Sequence, residues 1–199
     1  GFGGEAGGYA LAAGRFRTDG WREHGAARRD AANAKVHLTL PREGRLQQYA
    51  PPLEVYNHPA NAFAADFIGS PNINLLSVTA GDGADGTVRL QLGSGQTMAF
   101  QLASGSLPAV GQKLQLGIRP ENVVLDAAEG WPASVAATLP SGMETIVRLD
   151  MGGVPLTAVV FGTIDFAVGQ SVQAAFKTKG HLLFDAVSGE NSASGSISQ

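Results

Sequence analysis

The four histidines of this 199-residue chain are the side chains best suited to hold a metal ion or to move a proton, and they lie far apart along the sequence: His24, His37, His58 and His181. Zinc sites usually combine closely spaced histidines or cysteines. The chain contains no cysteine. We therefore expect no metal site, and we predict a structural role for His181, which precedes the apolar residues Leu182–Phe184 in a strand-like stretch.

Three isolated carboxylates, Glu121, Glu144 and Asp185, stand next to predicted turns. Side chains at such positions usually accept hydrogen bonds from nearby amides. Acid–base catalysis needs a partner group within reach of the same substrate, and no such pair is evident. The sequence also lacks a Gly-x-Ser-x-Gly elbow. An independent enzyme with dispersed catalytic residues is therefore the least favoured function.

A phosphate-binding loop of the P-loop type needs a glycine-rich turn followed by Gly-Lys-Ser/Thr, because backbone amides and the lysine surround the phosphates. No Gly-Lys dipeptide occurs in the chain. The stretch Gly93-Ser94-Gly95 lies between two alternating runs, so we expect a hairpin turn there. The sequence thus predicts no nucleotide hydrolysis and no cofactor for this chain.

The charge balance argues against a nucleic-acid partner. The chain has 14 basic and 17 acidic residues, a formal net charge of -3. Residues 1–49 hold 8 basic and 5 acidic side chains, which leaves 6 and 12 in residues 50–199. An acidic main body repels a phosphate backbone. No apolar run reaches the roughly 20 residues that a membrane-spanning helix needs.

The first part of the chain divides into a leader and a linker. Residues 1–41 are rich in glycine, alanine and arginine and are expected to be a poorly ordered leader or a remnant of another domain, apart from an alternating run that begins at Lys35. Residues 42–71 are predicted to complete a hairpin and then form two short helices. Phe63 and Phe67 lie about one turn apart on the second helix, where we expect them to serve core or interface packing.

Residues 72–187 contain short alternating runs separated by glycine-rich turns, which predict a mainly β domain, a small barrel or sandwich of antiparallel strands. Residues 188–199, with the sequence SGENSASGSISQ, are small and polar. Such composition buries little apolar surface, so we expect a disordered tail.

Several motifs resemble the importer ATPases of the maltose and glycerol-phosphate type. Residues 42–76 contain, in the order found in that family, Gln47-Gln48, a Pro-Leu-Glu-Val-Tyr run, a Pro-Ala-Asn-Ala-Phe run and Phe67-Ile68-Gly69-Ser70-Pro71. Gly117-Ile118-Arg119-Pro120-Glu121 and His181-Leu182-Leu183-Phe184-Asp185 are similar to later motifs of the family. The resemblance spans residues 42 to 190.

This resemblance implies a regulatory domain of the TOBE type, with an oligonucleotide-binding-like (OB-like) barrel, which is non-catalytic. In the family two ATPases form a dimer and drive a membrane permease at the cytoplasmic face of the bacterial membrane, and some members bind regulatory proteins. ATP and magnesium are bound in the family by motifs that this chain does not contain. The resemblance therefore implies a homodimer that works through protein contacts.

The resemblance also suggests roles by position. Arg119 and Glu121 are expected to brace the barrel, with contact to a second protomer as the alternative. Glu144 is expected to shape a turn. His181 and Asp185 belong to the last matching motif and are expected to be structural.

A second function remains open, because related barrels hold oxyanions such as molybdate or sulfate through backbone amides and serine or lysine side chains. The residues of this chain that suit such a site are Ser141, Lys177 and Lys179.

Overall fold

The structure is a computed structural model, and it describes residues 36–39, 46–162 and 164–198. Of the predicted leader, residues 1–41, only residues 36–39 are among the described residues. The described helices are α1 (Pro52–Asn57) and α2 (Ala62–Phe67), and a single 3-10 turn spans Pro120–Asn122. The described strands are β1 (Val36–Thr39), β2 (Leu46–Ala50), β3 (Asn74–Ala84), β4 (Thr87–Leu92), β5 (Thr97–Gly105), β6 (Lys113–Ile118), β7 (Val123–Leu125), β8 (Trp131–Ser141), β9 (Glu144–Asp150), β10 (Pro155–Phe161), β11 (Ser171–Phe176), β12 (Lys179–Asp185) and β13 (Asn191–Ser198).

The predicted hairpin and helices are confirmed. Strands β1 and β2 pair antiparallel, and Pro52 occupies the first turn of α1, where its missing amide hydrogen costs nothing. The side chain of Asn61 accepts a hydrogen bond from the Ala64 amide at 2.8 Å and so caps the start of α2. Neither helix could cross a membrane, since every helix among the described residues is too short.

Six strands close into a barrel in the order β12-β13-β5-β4-β3-β6. Alternate residues point inward, as the burial of Val88, Leu90 and Leu92 along β4 illustrates. Phe100 is fully buried in this barrel core. The turn at Gly93-Ser94-Gly95 joins β4 to β5, as the sequence predicted, with the Leu92 amide bonded to the Gln96 carbonyl at 2.9 Å. The mainly β, barrel-forming fold class is confirmed.

The chain leaves the barrel after β6, builds a second sheet and then returns. This five-stranded sheet has the order β10-β9-β8-β11-β7, so β10 and β7 are its edges. The strands of residues 72–187, expected to form one small barrel, are thus divided between a closed barrel and an open sheet. One buried core nevertheless runs through both, because residues of the barrel and of the sheet belong to the same apolar cluster.

Asn74, at the start of β3, connects the barrel to the edge of the five-stranded sheet. Its side-chain amide nitrogen donates to the carbonyl of Thr157 at 2.9 Å, and its oxygen accepts from the Thr157 amide at 2.7 Å. The same nitrogen donates to the Ile118 carbonyl at 3.1 Å. A buried side chain therefore takes the place of a neighbouring strand at this point of β10.

The prediction of a disordered tail at residues 188–199 is wrong. Residues 191–198 form β13, which pairs with β12 on one side and β5 on the other and so completes the barrel. The inward residues are Ala193, Gly195 and Ile197. A Cβ atom at Gly195 would collide with the Gln101 carbonyl oxygen and with the Phe100 ring, so only glycine fits at this position.

Candidate functional site

The side chain of Arg119 holds both helices against the barrel. One terminal nitrogen, Nη1, donates to the carbonyls of Ala65 at 2.8 Å and Ile68 at 2.7 Å, and Nη2 donates to the carbonyl of Tyr56 at 2.8 Å. The guanidinium also lies 3.9 Å from the centre of the Tyr56 ring. We call Arg119, Tyr56 and Glu121 the Arg119 clamp.

The clamp satisfies groups that a short helix leaves unpaired. The last carbonyls of α1 and α2 have no partner within their helices, and a cation is favourable at that negative end of the helix dipole. Arg119 extends from the end of β6 into this position because Pro120 starts the 3-10 turn directly after it. Gly69, with φ of +136°, lies beside it, and a Cβ atom there would be 3.3 Å from Nη1.

Tyr56 and Glu121 complete the clamp. The Tyr56 hydroxyl donates a short hydrogen bond to Oε1 of Glu121. Burial, together with this hydrogen bond and the charge of Glu121, raises the pKa of Tyr56 to about 12 against the opposing effect of Arg119. Burial also lowers the pKa of Arg119, which Tyr56 and Glu121 oppose. Arginine stays charged in proteins, so the clamp is a buried cation bound by neutral carbonyls, with one carboxylate held nearby.

A cleft of about 710 Å³ opens beside the clamp, between the end of α1 and the strands β5, β12 and β13 of the barrel. The clamp residues line this cleft, and so do Lys179 and Ser196 of the barrel strands. The cleft combines a buried arginine, a carboxylate and a lysine with hydroxyl and amide groups. Such a mixture can bind a polar molecule, whereas the described residues contain no group of three potential metal ligands.

Two family descriptions match this chain. The MalK OB fold domain matches residues 69–123. The TOBE domain matches residues 116–184.

This chain contains a MalK OB fold domain and a TOBE domain.

The relatives of these OB-fold and TOBE domains are ATP-binding proteins of transporters. The chain is 34% identical over 162 residues to a putative ATP-binding protein of Brucella abortus, which covers 80% of this chain and 43% of the relative. It is 33% identical over 164 residues to the sn-glycerol-3-phosphate import ATP-binding protein UgpC 3 of Agrobacterium fabrum, covering 79% and 43%. It is 36% identical over 107 residues to the maltose/maltodextrin import ATP-binding protein MalK of Mannheimia succiniciproducens, covering 53% and 27%.

The chain therefore spans less than half the length of these relatives. Among solved structures, the cytoplasmic molybdate-binding protein ModG with molybdate bound aligns with 55% of this chain and 94% of its own at 19% identity, with a TM-score of 0.44.

The OB-fold match covers β3–β6, but the barrel closes only with β12, from the TOBE match, and with β13, which follows both. Arg119 and Glu121 lie in the segment where the two matches overlap. The clamp is therefore placed where one family unit passes into the next. Tyr56 and the helix carbonyls that complete it lie before both matches.

The aromatic residues predicted for packing lie together on α2. The rings of Phe63 and Phe67 stack with their centres 6.2 Å apart. Phe63 packs against the cluster of Ala50, Val55 and Ala64, whereas Phe67 remains 47% exposed. One aromatic ring thus belongs to the linker core and the other faces outward.

His181 and Asp185, at the two ends of β12's apolar run, do not share a site. His181 is buried opposite Gly195, and its Nε2 bonds to the carbonyl of Lys177. Burial lowers the pKa of His181 despite this bond. Asp185 accepts hydrogen bonds from the amides of Ser188 at 2.8 Å and Val187 at 3.0 Å. These bonds lower the pKa of Asp185 and hold the turn that leads into β13.

Glu144 begins β9 and pairs with Ser141 of β8 and with Phe161 of β10. Around it lie three exposed apolar side chains at the end of the five-stranded sheet. We call this surface the apolar tip: Leu139, Met143 and Phe161 are 45%, 86% and 79% exposed. The carbonyl of Met143 accepts a bond from the Gly162 amide at 2.9 Å, so turn and strand end are held together.

The three residues suited to an oxyanion site are not brought together within one chain. Ser141 ends β8, whereas Lys177 follows β11, whose pairing with β8 runs toward Trp131 at the other end of that strand. An 11-residue strand is roughly 30 Å long. Lys179 lines the cleft, but Ser141 and Lys177 do not.

Sequence reasoning missed Tyr56 and Asn74 as functional contacts, although both lie within residues 42–76, the stretch that carries the first part of the family resemblance. The signal was an aromatic residue one turn into a short helix and an asparagine opening a buried strand. Neither pattern identifies a partner, because the carbonyls and the carboxylate that these side chains bind are 44 to 83 residues away along the chain.

Proposed function

We propose that this chain is the regulatory region of the ATP-binding subunit of a carbohydrate ABC importer, and that it works through protein contacts. The family matches and the importer relatives support this assignment. Catalysis would then belong to the part of the relatives that this chain does not span. The place of action would be the cytoplasmic face of the membrane, beside the permease.

The observation that carries the contact role is the apolar tip. Large apolar side chains as exposed as Met143 and Phe161 are common singly but mark an interaction surface when they lie together. Leu139, Glu144 and Phe161 lie on the same face of the sheet by register. The tip is also at the edge strand β10, where backbone groups are available for a partner.

A second exposed apolar surface lies on the linker helices, at Leu53 and Phe67, which are 70% and 47% exposed. It adjoins the β1–β2 hairpin rather than the sheet. We assign the apolar tip to self-association, and the linker surface to the part of the subunit that precedes β2.

Sedimentation velocity over a range of concentrations tests the contact role. We expect wild-type protein to self-associate and the double variant Met143→Ser, Phe161→Ser to remain monomeric, because burying two large apolar side chains supplies much of the driving force. The matched control is Val110→Ser, Val187→Ser, which alters two equally exposed residues in barrel loops, 69% and 95% exposed. Wild-type protein that stays monomeric at all concentrations, or a control variant that dissociates equally, would contradict the proposal.

Titration with a fluorescent ATP analogue tests the non-catalytic part. The expected result is no saturable binding, because the sequence contains no Gly-Lys dipeptide for a phosphate-binding loop. Saturable binding at micromolar concentration would show that this chain carries a nucleotide site.

A further inference from the structure

The cleft beside the Arg119 clamp has the size of a small-molecule site. Its volume of about 710 Å³ lies within the range of roughly 300–1,000 Å³ that is usual for ligand pockets. One wall comes from the end of α1 with Tyr56 and His58, and the other from barrel strands with Lys179 and Ser196. A ligand in this cleft would therefore touch both the linker helices and the barrel.

The clamp side of the cleft contains a buried donor without a partner. Arg119 is only 4% exposed, and its Nη1 and Nη2 bind three carbonyls. Its Nε has no hydrogen-bond partner among the described residues. This atom is closed off from the cleft as well as from solvent, so a ligand would meet the clamp through Tyr56 and Glu121.

The charges around the cleft restrict what could bind. Glu121, held by the Tyr56 hydroxyl, offers carboxylate oxygens that only accept hydrogen bonds. Lys179 offers an exposed ammonium group that only donates. Lys179 and Arg119 would attract an anion and repel a cation, and Glu121 would do the reverse, so neither sign of charge suits the whole cleft. Hydroxyl groups both donate and accept, so a neutral molecule with several hydroxyls satisfies both sides.

We infer that this cleft binds a small neutral polyhydroxyl compound, such as a sugar or sugar alcohol, and that its binding strengthens the attachment of α1 to the barrel. The hydroxyls accept from Lys179 and donate to Glu121, while the neighbouring amide and hydroxyl side chains orient the ring or chain. This inference goes beyond the proposed contact function and does not depend on it, because the apolar tip and the cleft share no residue.

Ligand-observed NMR titration of the full chain with glucose, maltose and sorbitol tests the inference. At least one of the three should bind saturably in the millimolar range, and glucosamine and gluconate, the charged analogues of glucose, should bind more weakly. Lys179→Met removes the rim donor but keeps the aliphatic stem. It should weaken binding about tenfold, because the ligand loses a hydrogen bond from a charged donor.

The matched control is Lys177→Met, which removes an exposed lysine that does not line the cleft and should bind as wild type does. The inference is overturned if none of the three neutral compounds binds, if Lys179→Met binds as tightly as Lys177→Met, or if a charged analogue or the zwitterion alanine binds best. Circular dichroism of each variant shows that the fold is intact. Sedimentation of the same samples tests the contact role separately, so the contact function and the ligand-binding inference can each fail without the other.

Discussion

The closed barrel and the five-stranded sheet solve the problem of strand edges differently. Every strand of the barrel has two neighbours, and its exposed apolar residues Leu107, Val110 and Val187 lie in loops. The sheet keeps two edge strands, and three of its exposed apolar side chains, Leu139, Met143 and Phe161, lie together at the apolar tip. The barrel can therefore contribute stability without offering a free strand edge to another protein, whereas the sheet retains an edge and an apolar surface on which a partner can dock.

The linker helices α1 and α2 are attached to the barrel and not to the five-stranded sheet. They are held by a polar device, the Arg119 clamp, in addition to the apolar contacts of Ala62 and Ala65 with Leu182 and Phe184. Buried hydrogen bonds have a fixed geometry and so specify one position of the helices, whereas apolar contacts alone would allow the helices to shift along the barrel. The barrel thus determines the position of the linker helices, and the five-stranded sheet does not contribute to it.

Removing the last strand should have the largest effect on this comparison. Deleting residues 191–199 opens the barrel between β12 and β5, leaving both with unpaired edges and exposing Phe100. We expect loss of the cooperative thermal transition, measured by circular dichroism. Val187→Ser, in the turn just before this strand, is the control and should melt as wild type does. A truncated chain that unfolds at the wild-type temperature would show that the barrel does not need β13.

A matched pair of phenylalanines compares the two regions directly. Phe100→Ala in the barrel core should lower the free energy of unfolding by about 3–5 kcal/mol, because Phe100 is fully buried. Phe161→Ala at the apolar tip, 79% exposed, should change it by about 0.5 kcal/mol or less. Urea denaturation measures both. Equal losses would mean that the tip is part of the folded core.

Arg119→Ala should lower the free energy of unfolding by about 2–4 kcal/mol, because three helix-end carbonyls lose a charged donor. Amide hydrogen exchange should quicken in α1 and α2 far more than in β4 or β9. Arg119→Lys tests the geometry, since one ammonium cannot reproduce the planar fork that serves both helices. Uniform acceleration of exchange along the chain would indicate that the arginine supports the whole fold rather than the linker.

Asn74→Ala should lower stability by about 1–3 kcal/mol, because the Thr157 amide and carbonyl lose their partner. This change acts where the barrel meets the sheet, so exchange of the β10 amides should quicken more than exchange of the β4 amides. Asn72→Ala, which removes only an exposed bond of 3.1 Å to Asp66, is the control. Similar exchange rates in both variants would argue against Asn74 as the connection.

The smallest expected effect is a pH dependence that originates in the barrel. Burial lowers the pKa of His181, so between its folded pKa and the ordinary value of about 6.5 the unfolded chain binds more protons. Stability should therefore be full above about pH 6.5 and fall as the pH drops below that value. Urea midpoints measured from pH 8 to 5 should slope less in His181→Gln than in the control His58→Gln. Identical slopes would exclude His181 as the source.

The sequence predicted most elements of this fold because their periodicity is visible. The alternation in Thr87–Leu92 and the Pro51-Pro52 helix start express local physics that no distant contact overrides. The last strand was missed because two of its three inward positions hold alanine and glycine. Gly195 has no side chain because Phe100 already fills that part of the barrel, and this is a tertiary requirement that hydropathy does not reveal.

The candidate site was only partly predictable. Arg119 and Glu121 could be identified by their position at a strand end. Their partners could not, since the groups that Arg119 binds are carbonyls, which every residue has. Which carbonyls come within reach depends on how α1 and α2 dock, and that is decided by apolar packing more than 50 residues away.

The return of the chain to the barrel only at its last two strands has a consequence for biosynthesis. Strands β3 to β6 leave the ribosome before β12 and β13, so their sheet cannot close until those two strands emerge, with the whole five-stranded sheet made in between. Contacts between such distant segments form slowly, and the waiting sheet exposes apolar residues to other nascent chains. A stalled or prematurely terminated polypeptide of this kind would be a substrate for chaperones and proteases rather than a partly working protein.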